Sequence, residues 1–107
     1  MEFTSIVECA NKIKSKQISI KELSEIFIER IKKKSNLNAY IFFDEENIQH
    51  QISSFKNSDS ILNGIPLGIK DLFCTKSMPT TAASKILKNF QPPYESFVTQ
   101  KLLDKGS

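Results

Sequence analysis

Glycine and proline are scarce in this chain, three and four residues respectively among 107, which excludes collagen-like and low-complexity architectures. Cysteine is nearly as rare: Cys9 and Cys74 make no zinc spacing and no disulfide framework. The one histidine, His50, has no second ligand near it and reads as a solvated surface residue. No run approaches the roughly 20 apolar residues a membrane helix needs, so no membrane partner is expected. The N-terminus carries Glu2 and Glu8. It lacks the basic-then-apolar order of a secretory signal and the Arg-rich, acid-poor character of a transit peptide, so the expected location is cytoplasmic. Excess charge is also small. Fifteen Lys and Arg against twelve Asp and Glu leave +3, too little for nucleic-acid binding unless gathered on one face. A Gly-rich phosphate loop, an HExxH motif, paired metal ligands and a Gly-x-Ser-x-Gly elbow are all missing. Cofactor-binding and metal-ligating residues are therefore expected to be none. What is present is a 39% hydrophobic chain of a length that suits one core.

Helical periodicity follows marked starts. Ser5 with Glu8 is a capping box, and Ile6, Cys9, Ala10 and Ile13 share one face of a helix to about Lys16. Ser19 with Glu22 opens a longer helix to about Lys34, striped by Leu23, Ile26, Phe27 and Ile31. Arg30, Lys32, Lys33 and Lys34 suit the negative end of its dipole. No aromatic interleaves with them, which favours that reading over a nucleic-acid patch. Leu37–Phe43, short, apolar and aromatic, reads as a buried strand. Asp44 caps a third helix carrying Ile48, Ile52 and Phe55, and Lys56–Ser60 is a polar loop.

Leu62–Thr75 is then an apolar run interrupted only by Lys70 and Asp71, a strand buried on both faces. Met78–Thr81 reads as a loop, Ala82–Leu87 as a short helix, and Gln91–Pro93 as an extended breaker. A last helix spans about Glu95–Lys105, with Val98, Leu102 and Leu103 apolar and Gly106 as its left-handed cap. No repeat or linker divides the chain. The class is α/β, but two strands make a marginal sheet. By themselves the 107 residues are expected to expose a hydrophobic edge and to be poorly stable or aggregation-prone.

Lys70 is the residue with chemical promise. Burying an ammonium costs several kcal/mol unless it is paired or sheds its proton, and a neutral lysine is a competent general base. The ordinary readings stand beside that one: a lysine snorkelling to water, or one paired with a carboxylate. Asp71 is not the obvious partner, because neighbouring strand residues point to opposite faces. Cys74 reads as a small buried hydrophobe, since no activating base is visible for it.

The string Gly64-Ile65-Pro66-Leu67-Gly68-Ile69-Lys70-Asp71 resembles the lysine-bearing strand of the amidase signature family. Cys74-Thr75-Lys76, Pro79-Thr80-Thr81-Ala82-Ala83-Ser84, Leu87-Lys88-Asn89-Phe90 and Pro92-Pro93-Tyr94-Glu95 continue the likeness. Upstream, Ile18–Leu23 and Leu37–Tyr40 fit the family's N-terminal helices and first strand. The likeness is specific from Gly64 to Tyr94 and weak in the first helix. The longer string resembles the branch that serves tRNA-dependent amidotransferases.

This resemblance implies an N-terminal fragment of the amidase signature fold, with N-terminal helices and then strands of a mixed sheet flanked by helices. It implies amide hydrolysis by a Ser–Ser–Lys triad, with Lys70 matching the lysine that acts as general base through a bridging serine. In that branch, ammonia stripped from glutamine passes to a sister subunit, which uses ATP and magnesium to convert glutamate carried on tRNA into glutamine. The implied partners are thus the sister subunits of a heterotrimer, glutamine as substrate, and charged tRNA reached through the complex. Whether the acceptor is Glu-tRNA(Gln) or Asp-tRNA(Asn) stays open.

Two departures qualify the likeness. The family's Gly/Ser-rich segment, which carries both triad serines and the oxyanion loop, has no counterpart here, and neither do the glutamine-holding residues. Ser53, Ser54, Ser58, Ser84 and Ser107 do not replace that segment. Residues 1–107 are accordingly expected to be the incomplete N-terminal portion of an amidase domain, inactive alone. Ser77 stands where the family usually has glycine, a cost of about 1 kcal/mol if the position needs positive φ. Thr80, Thr81 and Ser84 are expected to shape the rim of a site through backbone contacts. The alternative readings are another amidase signature hydrolase acting on simple amides, and a non-catalytic remnant serving as a binding module.

Overall fold

Each α-helix among the described residues begins where a side-chain oxygen satisfies a backbone N–H that the helix itself leaves unpaired. The structure, a computed structural model, describes residues 2–107. Its helices are α1 (Ile6–Lys14), α2 (Ile20–Lys33), α3 (Glu45–Ser53) and α4 (Phe97–Asp104), with a short 3-10 turn at Ser35–Leu37. Ser5, Ser19, Asp44 and Ser96 cap them in that order, accepting from the N–H groups of Glu8, Glu22, Asn47 and Thr99. Of these helices only α2 has the full reciprocal box, Glu22 accepting from the Ser19 N–H at 2.8 Å. In α1 the expected box is half formed. Glu8 turns instead to Thr4, accepting from its N–H at 3.0 Å and its hydroxyl at 2.8 Å, and to Lys12 Nζ at 2.7 Å.

Two helices end in the same left-handed motif built from different residues. After α1, Lys16 (φ 58°) donates to the Ile13 carbonyl and Gln17 to that of Lys12. After α4, Gly106 (φ 85°) donates to Leu103 and Ser107 to Leu102, as the glycine at that position foretells. Glycine adopts this conformation freely, whereas a lysine there costs about 1–2 kcal/mol.

Cys9, Ile18, Leu23, Ile28 and Ile65 are buried, and Pro92 is buried apart from them in sequence. Cys9, Ile18, Leu23 and Ile65 form one cluster, with Phe3, Ile13, Ile26 and Phe27 packed against it. Leu23 is fully enclosed. Ile6, placed on the core face by periodicity, is half exposed, whereas Ser24 and Ile28 of α2 are buried outside the expected stripe. They share a helical row with Ile20, and Gly64 lies against Ile20 so closely that a Cβ there would stand 2.4 Å from Ile20 Cγ1. The covering segment thus reaches a second face of α2. An ion pair between Lys32 and Glu45 ties α2 to α3.

The expected α/β arrangement is overturned: no strand or sheet forms among the described residues. A strand exists only through its ladder, and both apolar segments contain residues that resist one. In Leu37–Phe43, Asn38 is left-handed (φ 49°) and Leu37, Tyr40, Ile41 and Phe42 are exposed. In Leu62–Thr75, Pro66 lacks a ladder donor, Gly64 and Gly68 weaken extended structure, and turns interrupt both ends of the run. The short helix expected over Ala82–Leu87 is also absent. Ala82 and Ala83 are left-handed (φ 47° and 57°), and the segment continues as successive turns, Ser84 donating to Thr81 and Leu87 to Ser84.

With so small a buried core, much apolar surface stays in water. Ile86 is 94% exposed, Phe97 77% and Ile41 68%. The total accessible surface is 7949 Å², against about 6,100 Å² for a compact chain of 12.2 kDa. The radius of gyration is 14.4 Å, where about 13 Å is usual at this length. The isolated 107-residue chain is therefore expected to bind a hydrophobic dye and to melt broadly, with slow amide exchange confined to α1 and α2. A sharp cooperative melt from a dye-silent monomer would contradict this.

Acid provides a second check. Hydrogen bonds from Lys12 and then from the Thr4 N–H and hydroxyl hold the Glu8 carboxyl down at about 2, from an ordinary 4.5. A group lowered in the folded state stabilises it above the unfolded value and loses that contribution as pH falls through the folded one. The start of α1 should thus fray between pH 4.5 and 2, read by amide exchange at Glu8 and Cys9. Glu8→Gln should exchange faster at pH 6 and lose that pH dependence.

Candidate functional site

Lys70 follows a segment pinned at its start and free of regular structure thereafter. Gly64 (φ 71°) donates its N–H to the Gly106 carbonyl at 2.6 Å, and Ile65 enters the core beside Leu23. Pro66, Leu67 and Gly68 are exposed. The Lys70 carbonyl accepts from the N–H groups of Leu72 (2.7 Å) and Phe73 (3.0 Å), which turns the chain sharply behind it. The lysine side chain is exposed, and no carboxylate among the described residues lies within ion-pair reach of it. The expectation of an ammonium buried in a strand is therefore not met. Without a sheet there is nothing to bury it, and the structure corresponds to a lysine standing in water.

Asp71 is held firmly, and by a different group. Its carboxylate accepts from the Thr81 N–H at 2.7 Å, from the Thr81 hydroxyl, and from the Ala83 N–H at 3.3 Å. Its backbone carbonyl accepts from the Ala82 N–H at 2.9 Å. Partial burial pushes the carboxyl upward, but these donors, Thr81 above all, outweigh it and hold Asp71 below the ordinary carboxylate range. Asp71 and Lys70 are unpaired, as alternation suggested, although the cause is the turn and the Thr81 clasp. Two alanines in the left-handed region cost about 1–2 kcal/mol each. Hydrogen bonds to a charged group contribute about 1.5–3 kcal/mol apiece, so the clasp is strong enough to hold them there.

Thr80 and Thr81, expected at the rim of a site, are both buried and make backbone contacts through their hydroxyls. Thr80 Oγ1 donates to the Phe73 carbonyl at 3.3 Å and accepts from the Thr75 N–H at 3.4 Å, while the Thr80 N–H reaches the Phe90 carbonyl. Glu95 accepts from the Lys76 N–H at 2.8 Å and from Thr99 Oγ1 at 2.9 Å, fastening the same strip to the start of α4. Cys74 is half buried. It donates to the Tyr94 hydroxyl at 3.6 Å, a contact that raises the phenol. Ser77 lies outside the positive-φ region, so the expected strain at that position does not arise; its carbonyl accepts from Asn47 Nδ2. Asp71 and Glu95 are the organisers that sequence reasoning missed, together with the bonds that Thr81 makes to the Asp71 carboxylate. The run Thr80-Thr81-Ala82-Ala83 carried the only signal, small polar residues able to bond backbone and carboxylate.

A hollow of about 890 Å³ lies elsewhere. It runs between α2, α3, the Leu37–Phe43 segment and Gly64–Ile69, with Thr75, Ser77, Glu95 and Thr99 among its polar lining. Its wall reaches Ile69 and does not include Lys70. Among the described residues no group of three or more His, Cys, Asp or Glu could hold a metal ion. No helix there is long and apolar enough to cross a membrane. Ser53 and Ser54 bond to carbonyls of α3, Ser58 to the Lys105 carbonyl, and none of these hydroxyls is shown in contact with Lys70.

The family model for amidases matches residues 22–107. Proteins named as the A-type subunit of glutamyl-tRNA(Gln) amidotransferase are similar over nearly the whole chain. The one from Pelagibacter ubique (strain HTCC1062) is 46% identical over 106 residues, covering 96% of this chain and 22% of that protein. Those of Rickettsia bellii (strain OSU 85-389) and Ehrlichia chaffeensis are 43% and 42% identical, covering 95% and 96% of this chain and again 22% of theirs. The chain thus spans about a fifth of the length of these relatives. No solved structure matches it significantly. The lysine-bearing string, the threonine-rich strip and the tyrosine that follows all fall inside the matched region, and the chain belongs to the amidase family.

Proposed function

We propose that this chain is the lysine-bearing N-terminal portion of the glutaminase subunit of a glutamyl-tRNA(Gln) amidotransferase. The observation that carries this reading is identity of 42–46% to proteins of that name along 95–96% of the chain. In this reading Lys70 is the general base of a Ser–Ser–Lys triad. It takes the proton of the attacking serine through the bridging serine, the serine oxygen bonds to the amide carbon of glutamine, and the C–N bond breaks as that proton passes to the leaving nitrogen, releasing ammonia; water then cleaves the acyl-serine ester to glutamate and restores the serine. The two serines have no counterpart in residues 1–107, so the base is present here without its nucleophile. No cofactor belongs to this segment. ATP and magnesium serve the sister subunit, where ammonia converts Glu-tRNA(Gln) to Gln-tRNA(Gln) for translation. The partners are the sister subunits, with charged tRNA reached through them, and the location is cytoplasmic.

The test uses a graft in which residues 1–107 replace the matching stretch of the Pelagibacter ubique relative, assembled with that relative's sister subunits. The graft should release ammonia from glutamine, and Lys70→Ala in it should lower kcat by about 10²–10⁴-fold, the usual contribution of a general base. The 107-residue chain alone should release none. Ammonia from the isolated chain, or an active Lys70→Ala graft, would overturn the proposal.

A further inference from the structure

The strip behind Lys70 is organised by polar bonds, and Asp71 accepts four of them. Asp71 binds the N–H and hydroxyl of Thr81 and the N–H of Ala83 through its carboxylate, and the N–H of Ala82 through its carbonyl. Three successive residues of the loop therefore close on one residue of the turn. That turn is the one formed on the Lys70 carbonyl, which accepts from both Leu72 and Phe73. Among the described residues Lys70 has no ion pair, and its segment has no ladder and is exposed at Leu67 and Gly68. Between Ile65 in the core and the loop at Thr80–Ala83, the clasp is the anchor nearest the lysine. Thr80 strengthens it from the far side by bonding the Phe73 carbonyl.

We infer that Asp71 is a positioning residue for Lys70: by clasping Thr81–Ala83 it fixes the turn from which the lysine projects, and so fixes where the ammonium meets the reacting groups. The inference rests on the reading of Lys70 as the base and goes beyond it in assigning a role to the neighbouring carboxylate. Asp71 acts through the lysine and not on the substrate. Its carboxylate oxygens accept from N–H and O–H donors of the loop. Asn in its place would keep one accepting oxygen and turn an NH₂ toward those donors, releasing the loop while nearly preserving volume.

The experiment is made in the same graft with its sister subunits, measuring kcat and KM for glutamine together with thermal stability of the complex. Asp71→Asn is expected to lower kcat per folded complex by about a hundredfold, the cost of displacing a catalytic group by about an ångström, with KM unchanged and the complex still assembled although less stable. Thr81→Val, which removes one hydroxyl donor, should lower kcat by about tenfold, and Thr81→Ser, which restores that donor, should return it to the parent value. Should Asp71→Asn fail to assemble, the Thr81 pair gives the same reading. If Lys70→Ala is inactive while Asp71→Asn keeps its kcat within about twofold, the positioning role is wrong and the base reading survives. A kcat loss in Asp71→Asn that vanishes once kcat is referred to folded complex, with Thr81→Val and Thr81→Ser alike in kcat, also overturns it. If Lys70→Ala keeps its activity, the base reading fails, and this inference falls with it.

Discussion

Everything after the polar loop at residues 56–60 depends on how Gly64 and Ile65 meet the first two helices. Among the described residues Ile65 is the one buried member of the core cluster contributed from beyond α2, and that cluster encloses Leu23. Gly64 makes the approach possible: its missing Cβ is where Ile20 packs, and its left-handed φ suits no other residue well. Its N–H reaches the Gly106 carbonyl, and a Cβ at Gly106 would stand 2.7 Å from Ser58 Oγ. Two glycines and one isoleucine thus join the helical start, the loop and the end of α4 at one point. Fully burying a side chain such as isoleucine contributes about 1.5–3 kcal/mol, which suffices for a junction and is far short of a second core.

Beyond that junction the chain is organised by side chains bonding to backbone. Asp71, Thr75, Thr80, Thr81, Glu95 and Thr99 each take or supply bonds that a sheet would otherwise provide. Such bonds contribute about 0.5–1.5 kcal/mol net when neutral and more when one partner is charged. They specify a path for the chain without burying much apolar surface, which is why many large exposed side chains lie on the same stretch. A region of this kind opens locally at low cost, whereas the α1–α2 pair has a packed cluster to disrupt first.

Features decided within a few residues were legible in the sequence. Ser5, Ser19 and Asp44 mark the helix starts they were expected to mark, and Gly106 ends α4 in the expected conformation. What could not be read depends on partners distant in sequence. Apolar runs alone do not make strands, and Pro66, Gly68 and left-handed Asn38 argued locally against two of them. The helix expected at Ala82–Leu87 rested on alanine's propensity, which Asp71, eleven residues before Ala82, overrides by holding two alanines left-handed, Ala82 through its carbonyl and Ala83 through its carboxylate. The same carboxylate was read only as a neighbour of Lys70, because sequence pattern does not reveal which backbone a side chain will bind. Lys70 itself stood out for a burial it does not have, and its chemical reading rests on the motif around it.

In the proposed reading, in which Lys70 is a base, two separate requirements apply, position and basicity. Position comes from the backbone: the turn on the Lys70 carbonyl and the anchors on either side, Ile65 in the core and Asp71 on the loop. Basicity comes from surroundings that remove water from the ammonium without offering it a carboxylate. In residues 2–107 the turn and its anchors are formed, and the Lys70 side chain is exposed to water. The apolar wall of the large hollow stops at Ile69, and the polar clasp begins at Asp71. Lys70 occupies the single position between an apolar surface and a fixed anion. Cover laid over that wall would desolvate the lysine from one side while the clasp kept Asp71 engaged with Thr81 and away from ion pairing. A freely rotating Asp71 would instead be available to neutralise the ammonium as water was withdrawn, which is the outcome a base cannot tolerate.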